Sequence, residues 1–191
     1  LPTITKWYRL ETVTHSDISM EEAAATLRDL MRDSIRLRLR ADVEVGSCLS
    51  GGIDSSAIVC LIDERMQKSS GSGQRTFSAR AEDPRLDESR WMEMILKGRK
   101  INPSFLIPLF DLLADAFSDL IHTLHVPFGS ARIFVQNSVF FLAQIDGVKV
   151  ALDGQGDDAL FGGDTFYRSR AHAGMWSKGQ LSEVLGGISG L

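Results

Sequence analysis

Val43-Glu44-Val45-Gly46-Ser47-Cys48-Leu49-Ser50-Gly51-Gly52-Ile53-Asp54-Ser55-Ser56 runs from an apolar-leaning strand into a turn of two glycines, one acid and three hydroxyls. An apolar helical pattern follows at once in Ala57, Ile58, Leu61 and Ile62. Strand, small-residue loop and helix N-terminus together form an arrangement that binds phosphate. Free N–H groups and the positive end of the helix dipole point into such a loop. Gly51 and Gly52 let the backbone approach an anion closely. Ser50, Ser55 and Ser56 add hydroxyl donors. Asp54 is the odd member, because a bare carboxylate repels phosphate. Its place is explained if it holds a magnesium ion that in turn holds the phosphate.

The stretch is not a Walker A loop. That pattern ends in Gly-Lys-Ser/Thr, and no lysine follows this turn. The Ser50–Ser56 heptad resembles instead the pyrophosphate-binding loop of the N-type ATP pyrophosphatases. That superfamily includes the asparagine, NAD, GMP, argininosuccinate and tRNA-lysidine synthetases. Its members cleave ATP between the α and β phosphates and adenylate a substrate oxygen. The heptad alone does not select among them.

The composition bounds the reading. The chain has 191 residues, enough for one well-packed domain. Apolar residues make up 43%, and no apolar run approaches a membrane span of ~20 residues. The net charge of −4 offers no basic footprint for nucleic acid. Arg32, Arg36, Arg38 and Arg40 cluster near the end of the first helical pattern, where they complement a helix dipole. Cys48 and Cys60 form no disulfide framework, and both are expected to be small buried apolar residues.

Along the chain, Ser19-Met20-Glu21-Glu22 is a capping-box start, followed by Leu27, Leu30, Met31, Ser34 and Ile35 at helical spacing. A strand at 43–49, the heptad and a helix at 55–67 come next. Ser69 to Gly73 reads as a flexible turn, 76–79 as a strand and 87–97 as a helix. Residues 104–107 read as a strand, 109–124 and 133–145 as helices, and 148–152 as a strand. Strands alternating with helices predict an α/β fold, a parallel sheet with helices on both faces.

A second loop, Asp153-Gly154-Gln155-Gly156-Asp157-Asp158-Ala159-Leu160-Phe161-Gly162-Gly163, lies just beyond strand 148–152. Loops at the carboxyl ends of strands line the ligand crevice of an open α/β sheet. Both loops are therefore expected on one rim, where carboxylates from the two can share one magnesium.

Together the loops resemble the synthetase domain of glutamine-hydrolysing asparagine synthetases. In that family the first loop reads Ser-Gly-Gly-x-Asp-Ser-Ser, and the second reads Gly-Glu/Gln-Gly-x-Asp-Glu-x-Phe-Gly-Gly-Tyr. Arg38 to Val43 with Gly46, Asp87-Glu88-Ser89-Arg90, Pro127-Phe128-Gly129-Ser130 and Gly147 to Val150 also match. The resemblance covers most of residues 20–167. It implies the adenine nucleotide alpha hydrolase-like fold and a mechanism. ATP lies with its pyrophosphate near Ser50, Gly51, Gly52, Ser55 and Ser56. Asp54 and Asp158 ligate Mg2+. Leu49, Ala79, Asp153 and Gly154 stand where the family contacts adenosine, largely through backbone. An aspartate side-chain carboxylate attacks the α-phosphorus and expels pyrophosphate, and ammonia then attacks the β-aspartyl-AMP.

The resemblance further implies a glutaminase domain in the parent chain that frees ammonia from glutamine. Residues 1–18 then read as the linker from that domain, and 19–191 as a synthetase-like domain shortened at its C-terminus. The family's later helical part carries its catalytic lysine, so the isolated chain is expected to be inactive. A cytoplasmic location follows, with no nucleic-acid or membrane partner and a homodimer left open.

Some positions depart from the family pattern. Gln155, the candidate catalytic position, stands where the best-known members carry glutamate, and an amide is no general base. Ala159 replaces the acid after Asp158, and Asp164 replaces the tyrosine. A related amide-forming adenylase of the β-lactam or lasso-peptide macrolactam synthetase type is one alternative. A non-catalytic nucleotide-binding module is another. His122 and His125 read as helix-end surface residues, Trp7, Trp91 and Trp176 as packing residues, and Asp111, Asp115 and Asp119 as a solvated stripe.

Overall fold

The structure, a computed structural model, describes residues 17–67, 73–161 and 163, with residues 3, 5, 7, 167, 169, 173 and 174. The expectations for most of the 1–18 linker, the 69–72 turn, Gly162, Asp164, Trp176 and the tail lie outside the described residues. Among the described residues the order is α1 (Met20–Arg38), β1 (Val45–Cys48), α2 (Ile53–Gln67), β2 (Gln74–Ala79), α3 (Ser89–Leu96) and β3 (Ile101–Leu106). A short 3-10 turn (Phe110–Leu112), α4 (Leu113–Leu124), α5 (Arg132–Ile145), β4 (Val150–Leu152) and α6 (Asp157–Phe161) follow.

The sheet is parallel throughout, in the order β3-β2-β1-β4. The chain runs outward from β1 through β2 to β3, then returns to the other side of β1 with β4. The carboxyl ends of β1 and β4 therefore flank the point where the strand order reverses, the usual crevice of an open α/β sheet.

Helices cover both faces, as the alternation predicts. On one face Cys48 and Phe77 pack with Val139 and Ala143 of α5 and with Val148. On the other, Leu49 packs with Val59 of α2 and Met92 of α3, flanked by Ile101 and Phe105. Consecutive residues Cys48 and Leu49 thus serve opposite layers, as period-2 geometry requires. Gly46 in β1 lies under the Phe77 ring. A Cβ there would come within 2.7 Å of Phe77 Cε2, so the ring occupies the space a side chain would take.

Local chemistry sets the ends of several elements. Ser19 Oγ accepts from the Glu22 N–H at 3.2 Å, and the Ser19 N–H donates back to Glu22 Oε2 at 3.0 Å, which completes the capping box of α1. Only the last turn of the α1 stripe is covered, however. Ile35 is buried and Met31 and Ser34 are half-buried, whereas Leu27 and Leu30 are exposed. Arg32 reaches across to Glu64 of α2 at 3.1 Å to both oxygens. Arg75 of β2 donates to the Asp146 carbonyl at 2.9 Å and pairs with its carboxylate at 2.8 Å. Ser104 of β3 donates to the same carboxylate at 2.6 Å. These bonds tie the turn between α5 and β4 to the sheet, and Gly147 completes that turn at φ +79°.

Several boundaries differ from the sequence expectation. β3 starts at Ile101 and includes Pro103, which a strand at the sheet's edge tolerates. The segment 109–124 splits into a 3-10 turn and α4. The buried polar side chains Gln74 and Ser47, joined by a 2.7 Å bond from Gln74 Nε2 to Ser47 Oγ, had no signal in the sequence. Trp7 is 91% exposed and Trp91 half-exposed, so neither is a core packing residue. His122 and His125 are exposed at the end of α4, where His125 takes a left-handed conformation. Asp111, Asp115 and Asp119 are exposed, as a solvated stripe requires.

Candidate active site

The first loop leaves β1 at Leu49, whose side chain is 1% exposed and points into the α2/α3 layer. Its N–H donates to the Phe77 carbonyl at 3.0 Å. Leu49 therefore faces the crevice only through its own carbonyl and the chain beyond.

Gly51 follows at φ +86°, where a side chain costs about 1–2 kcal/mol. A Cβ there would also lie 3.1 Å from the Glu88 carbonyl and 3.2 Å from Trp91 Cβ. Both constraints favour glycine, and the second is tertiary. The Asp87-Glu88-Ser89-Arg90 element supplies it. Asp87 Oδ1 accepts from the Ser89 hydroxyl at 2.7 Å and from the Ser89 and Ala81 N–H groups at 3.3 and 3.4 Å. Those bonds, the hydroxyl's first, hold the Asp87 carboxyl below its ordinary range. They dock the start of α3 beside the first loop.

Two of the loop's N–H groups, those of Ser50 and Gly52, are already paired within the loop, whereas those of Gly51, Ile53, Asp54 and Ser55 donate to no partner among the described residues. The Gly52 N–H donates to Ser50 Oγ at 3.2 Å, and the Ser50 N–H donates to Ser55 Oγ at 3.1 Å. The two hydroxyls are 2.9 Å apart, and the Ser56 N–H donates to the Gly52 carbonyl at 3.1 Å. The serines hold these two donors in place, and an anion would take them over from the serines while meeting the unpaired N–H groups at the start of α2. α2 also begins earlier than the sequence pattern suggests, at Ile53, so Asp54 is its second residue rather than a loop residue.

The second loop meets the first. A Cβ on Gly154 would lie 3.2 Å from Asp54 Cβ and from the Ser55 nitrogen. The glycine thus lets the end of β4 close on the first turn of α2. Beyond it the loop folds into α6, which starts with Asp157 and Asp158, two acids at a helix N-terminus. Gly163 turns back over Asp158: its N–H donates to the Asp158 carbonyl at 3.0 Å.

The two loops bring the charges of Asp157 and Asp158 to bear on Asp54. Burial first, then the charges of Asp157 and Asp158, push the Asp54 carboxyl above its ordinary range. An acid raised by neighbouring negative charge is one whose environment a hard divalent cation relieves. Among the described residues, however, no group of three His, Cys, Asp or Glu side chains converges closely enough to hold a metal by itself. The donor chemistry fits magnesium with waters and phosphate completing its shell, and not a closed protein cage. Ala79, at the carboxyl end of β2, is half-buried against the Phe77 layer.

Asp153 and Gln155 are joined by a residue that sequence motifs missed. Gln136 of α5 donates from Nε2 to Asp153 Oδ2 at 2.9 Å, and its Oε1 accepts from Gln155 Nε2 at 3.4 Å. Asp153 Oδ1 accepts from the Gly154 N–H at 2.8 Å. The sequence marked Gln136 only as the first of three polar residues, Gln136-Asn137-Ser138, between the apolar stretches of α5.

Cys48 lies under this group, 7% exposed, and burial followed by the Asp153 charge pushes its thiol up to about 12. Cys60 is half-buried rather than buried and lines an apolar groove of about 400 Å³ with Trp91 and Met94. Alkylation of the native chain at about pH 8 is expected to modify Cys60 and spare Cys48, because only thiolates react. Mass spectrometry of the labelled peptides checks this, and equal labelling of both would contradict the burial of Cys48.

A family model described as asparagine synthase matches residues 26–185. The chain belongs to the asparagine synthase family. Among relatives, it is 34% identical over 146 residues to glutamine-hydrolysing asparagine synthetase 1 of Bacillus subtilis, covering 74% of this chain and 22% of the relative. It is 32% identical over 139 residues to the putative glutamine-hydrolysing asparagine synthetase 2 of Methanocaldococcus jannaschii, covering 71% and 25%. It is 26% identical over 171 residues to the amidase chyE of Penicillium rubens, covering 82% and 25%. The chain thus spans about a quarter of the length of these relatives. Both loops and the Asp87–Arg90 element lie within the stretch that matches the asparagine synthase family. No helix among the described residues is long and apolar enough to cross a membrane.

Proposed function

We propose that this chain is the ATP-handling part of an amide-forming ligase that adenylates a carboxylate, with the aspartate side chain as substrate and glutamine-derived ammonia as nucleophile. The observation that carries the reading is the contact of Gly154 with Asp54 and Ser55. It joins a phosphate-type loop and an acidic loop at the β1/β4 switch point, where open sheets bind ligands.

In this reading the N–H groups of the Ser50–Ser56 turn and the start of α2 bind the pyrophosphate portion of ATP. Ser50 and Ser55 exchange their internal bonds for phosphate oxygens. Backbone at Leu49, Ala79, Asp153 and Gly154 receives the adenosine. Asp54 and Asp158 would hold magnesium, which when bound neutralises phosphate charge and so eases departure of pyrophosphate. The chain's own part is positioning and preorganised donors. Gln155 contributes a hydrogen bond and no base. The ammonia source is a glutaminase domain, and the site of action is the cytoplasm.

A second reading follows from the amidases among the relatives, chyE of Penicillium rubens and chry2 of Gibberella zeae. Their names fit an enzyme of the same build acting on a different carboxylate or amine. The full-length protein is expected to release pyrophosphate from ATP only when aspartate is supplied. Equal release with other carboxylates would overturn strict asparagine synthesis in favour of the second reading. ATP binding with no release for any carboxylate would leave a non-catalytic binding module.

A further inference from the structure

Gln136 uses both polar atoms of its amide beneath the second loop. Nε2 donates to Asp153 Oδ2 at 2.9 Å and approaches Cys48 Sγ at 4.0 Å. A carboxylate only accepts, so nitrogen rather than oxygen must face Asp153. Both N–H groups of Gln136 are thereby directed at Asp153 and Cys48, and Oε1 is what remains for Gln155. That oxygen only accepts, so Gln155 must turn its Nε2 inward, as its 3.4 Å contact shows. The Gln155 Oε1 is then the group this exposed side chain offers outward. A carboxylate at position 155 would meet Gln136 Oε1 with no proton between them, beside the negative charge of Asp153.

We infer that Gln136 is a positioning residue that fixes Gln155 as an inward donor and an outward acceptor at the second loop. The acceptor has a use in the reaction proposed above, on which this inference rests: an attacking amine carries N–H groups that need a partner. Gln136 is bonded to Asp153 and Gln155, and its role in this reading is exerted through them.

Three variants of the full-length protein test it: Gln155→Glu, Gln136→Lys and the double variant. Gln155→Glu sets a carboxylate against Gln136 Oε1. Gln136→Lys keeps a donor for Asp153 but removes the acceptor, so Gln155 must turn its oxygen inward. In the double variant the introduced ammonium donates to both carboxylates, and the carboxylate at position 155 keeps one oxygen outward. Denaturant unfolding is read first, because it needs no nucleotide. Each single variant is expected to lower the folded-to-unfolded ratio about threefold, with the double near native rather than additive. Carboxylate-dependent pyrophosphate release is read second. Each single variant is expected to lower kcat about tenfold, with the KM for ATP within about twofold, and the double to recover kcat to within about threefold.

Additive unfolding effects would overturn the pairing of the two glutamines. Coupled unfolding without recovery of kcat would also overturn the inference, leaving the pair a structural bond. If the native protein releases no pyrophosphate with any carboxylate, the proposed function falls, and the unfolding cycle still decides whether Gln136 holds Gln155.

Discussion

Asp54→Ala is expected to abolish magnesium-dependent ATP binding while leaving the unliganded chain no less stable than the native one. The two effects have opposite signs because the carboxylate is unfavourable until a cation arrives. Asp54 is half-buried in the first turn of α2, and burial, Asp157 and Asp158 push its carboxyl up. The folded chain therefore holds that proton more tightly than the unfolded chain does. Ionisation of Asp54 costs stability at neutral pH, and the cost disappears as pH falls through its raised folded value. The alanine variant should thus show its stability advantage near neutrality and lose it in acid, below the ordinary aspartate range of about 4. Loss of the ligand should weaken magnesium-dependent ATP binding by more than about a hundredfold, at or beyond the scale on which a metal site responds to lost support. Calorimetric titration with ATP, with and without magnesium, reads the effect. Undiminished binding would remove Asp54 from the site.

Phe77→Ala is expected to remove a large share of the chain's stability. The ring is fully buried and central to the layer formed by Cys48, Val139, Ala143 and Val148, and it fills the space above Gly46. Truncating a buried phenylalanine costs about 3–5 kcal/mol, against a total stability of about 5–15 kcal/mol for a domain. The site is attached to this same layer. The Phe77 carbonyl accepts the Leu49 N–H at the entrance to the first loop, and Cys48 lies beneath Gln136. A shift in this layer therefore moves both loops. Denaturant unfolding followed by circular dichroism gives the stability change. A loss below about 1 kcal/mol would mean that α5 and the sheet close the cavity by repacking.

The fold class was legible because strands and helices alternate and because strand 148–152 precedes an acidic glycine-rich loop. The loop residues were legible because phosphate binding restricts composition: glycine for close approach, serine for donors, an acid for the cation. Element ends were less legible. Asp54 reads as part of the loop, yet α2 starts one residue before it, because helix initiation depends on where Gly52 offers its carbonyl to Ser56. Leu27, Leu30, Met31, Ser34 and Ile35 read as one helical stripe, yet Leu27 and Leu30 are exposed and only Ile35 of it is buried.

By itself the sequence determined the chemistry on offer: a phosphate-type turn at Ser50–Ser56, a carboxylate pair at Asp157 and Asp158, and a parallel α/β frame to carry them. Those features are local, and residue type and spacing encode them. Only the tertiary structure decided that β4 lies beside β1, which presses Gly154 onto Asp54 and lets the charges of Asp157 and Asp158 act on it. Only it decided that Ser55 and Ser50 occupy the N–H groups of Ser50 and Gly52, and that Gln136 bonds Gln155. These are contacts between groups distant in the chain or choices among competing hydrogen-bond partners. Spacing along the chain carries no information about which partner packing brings close enough to win.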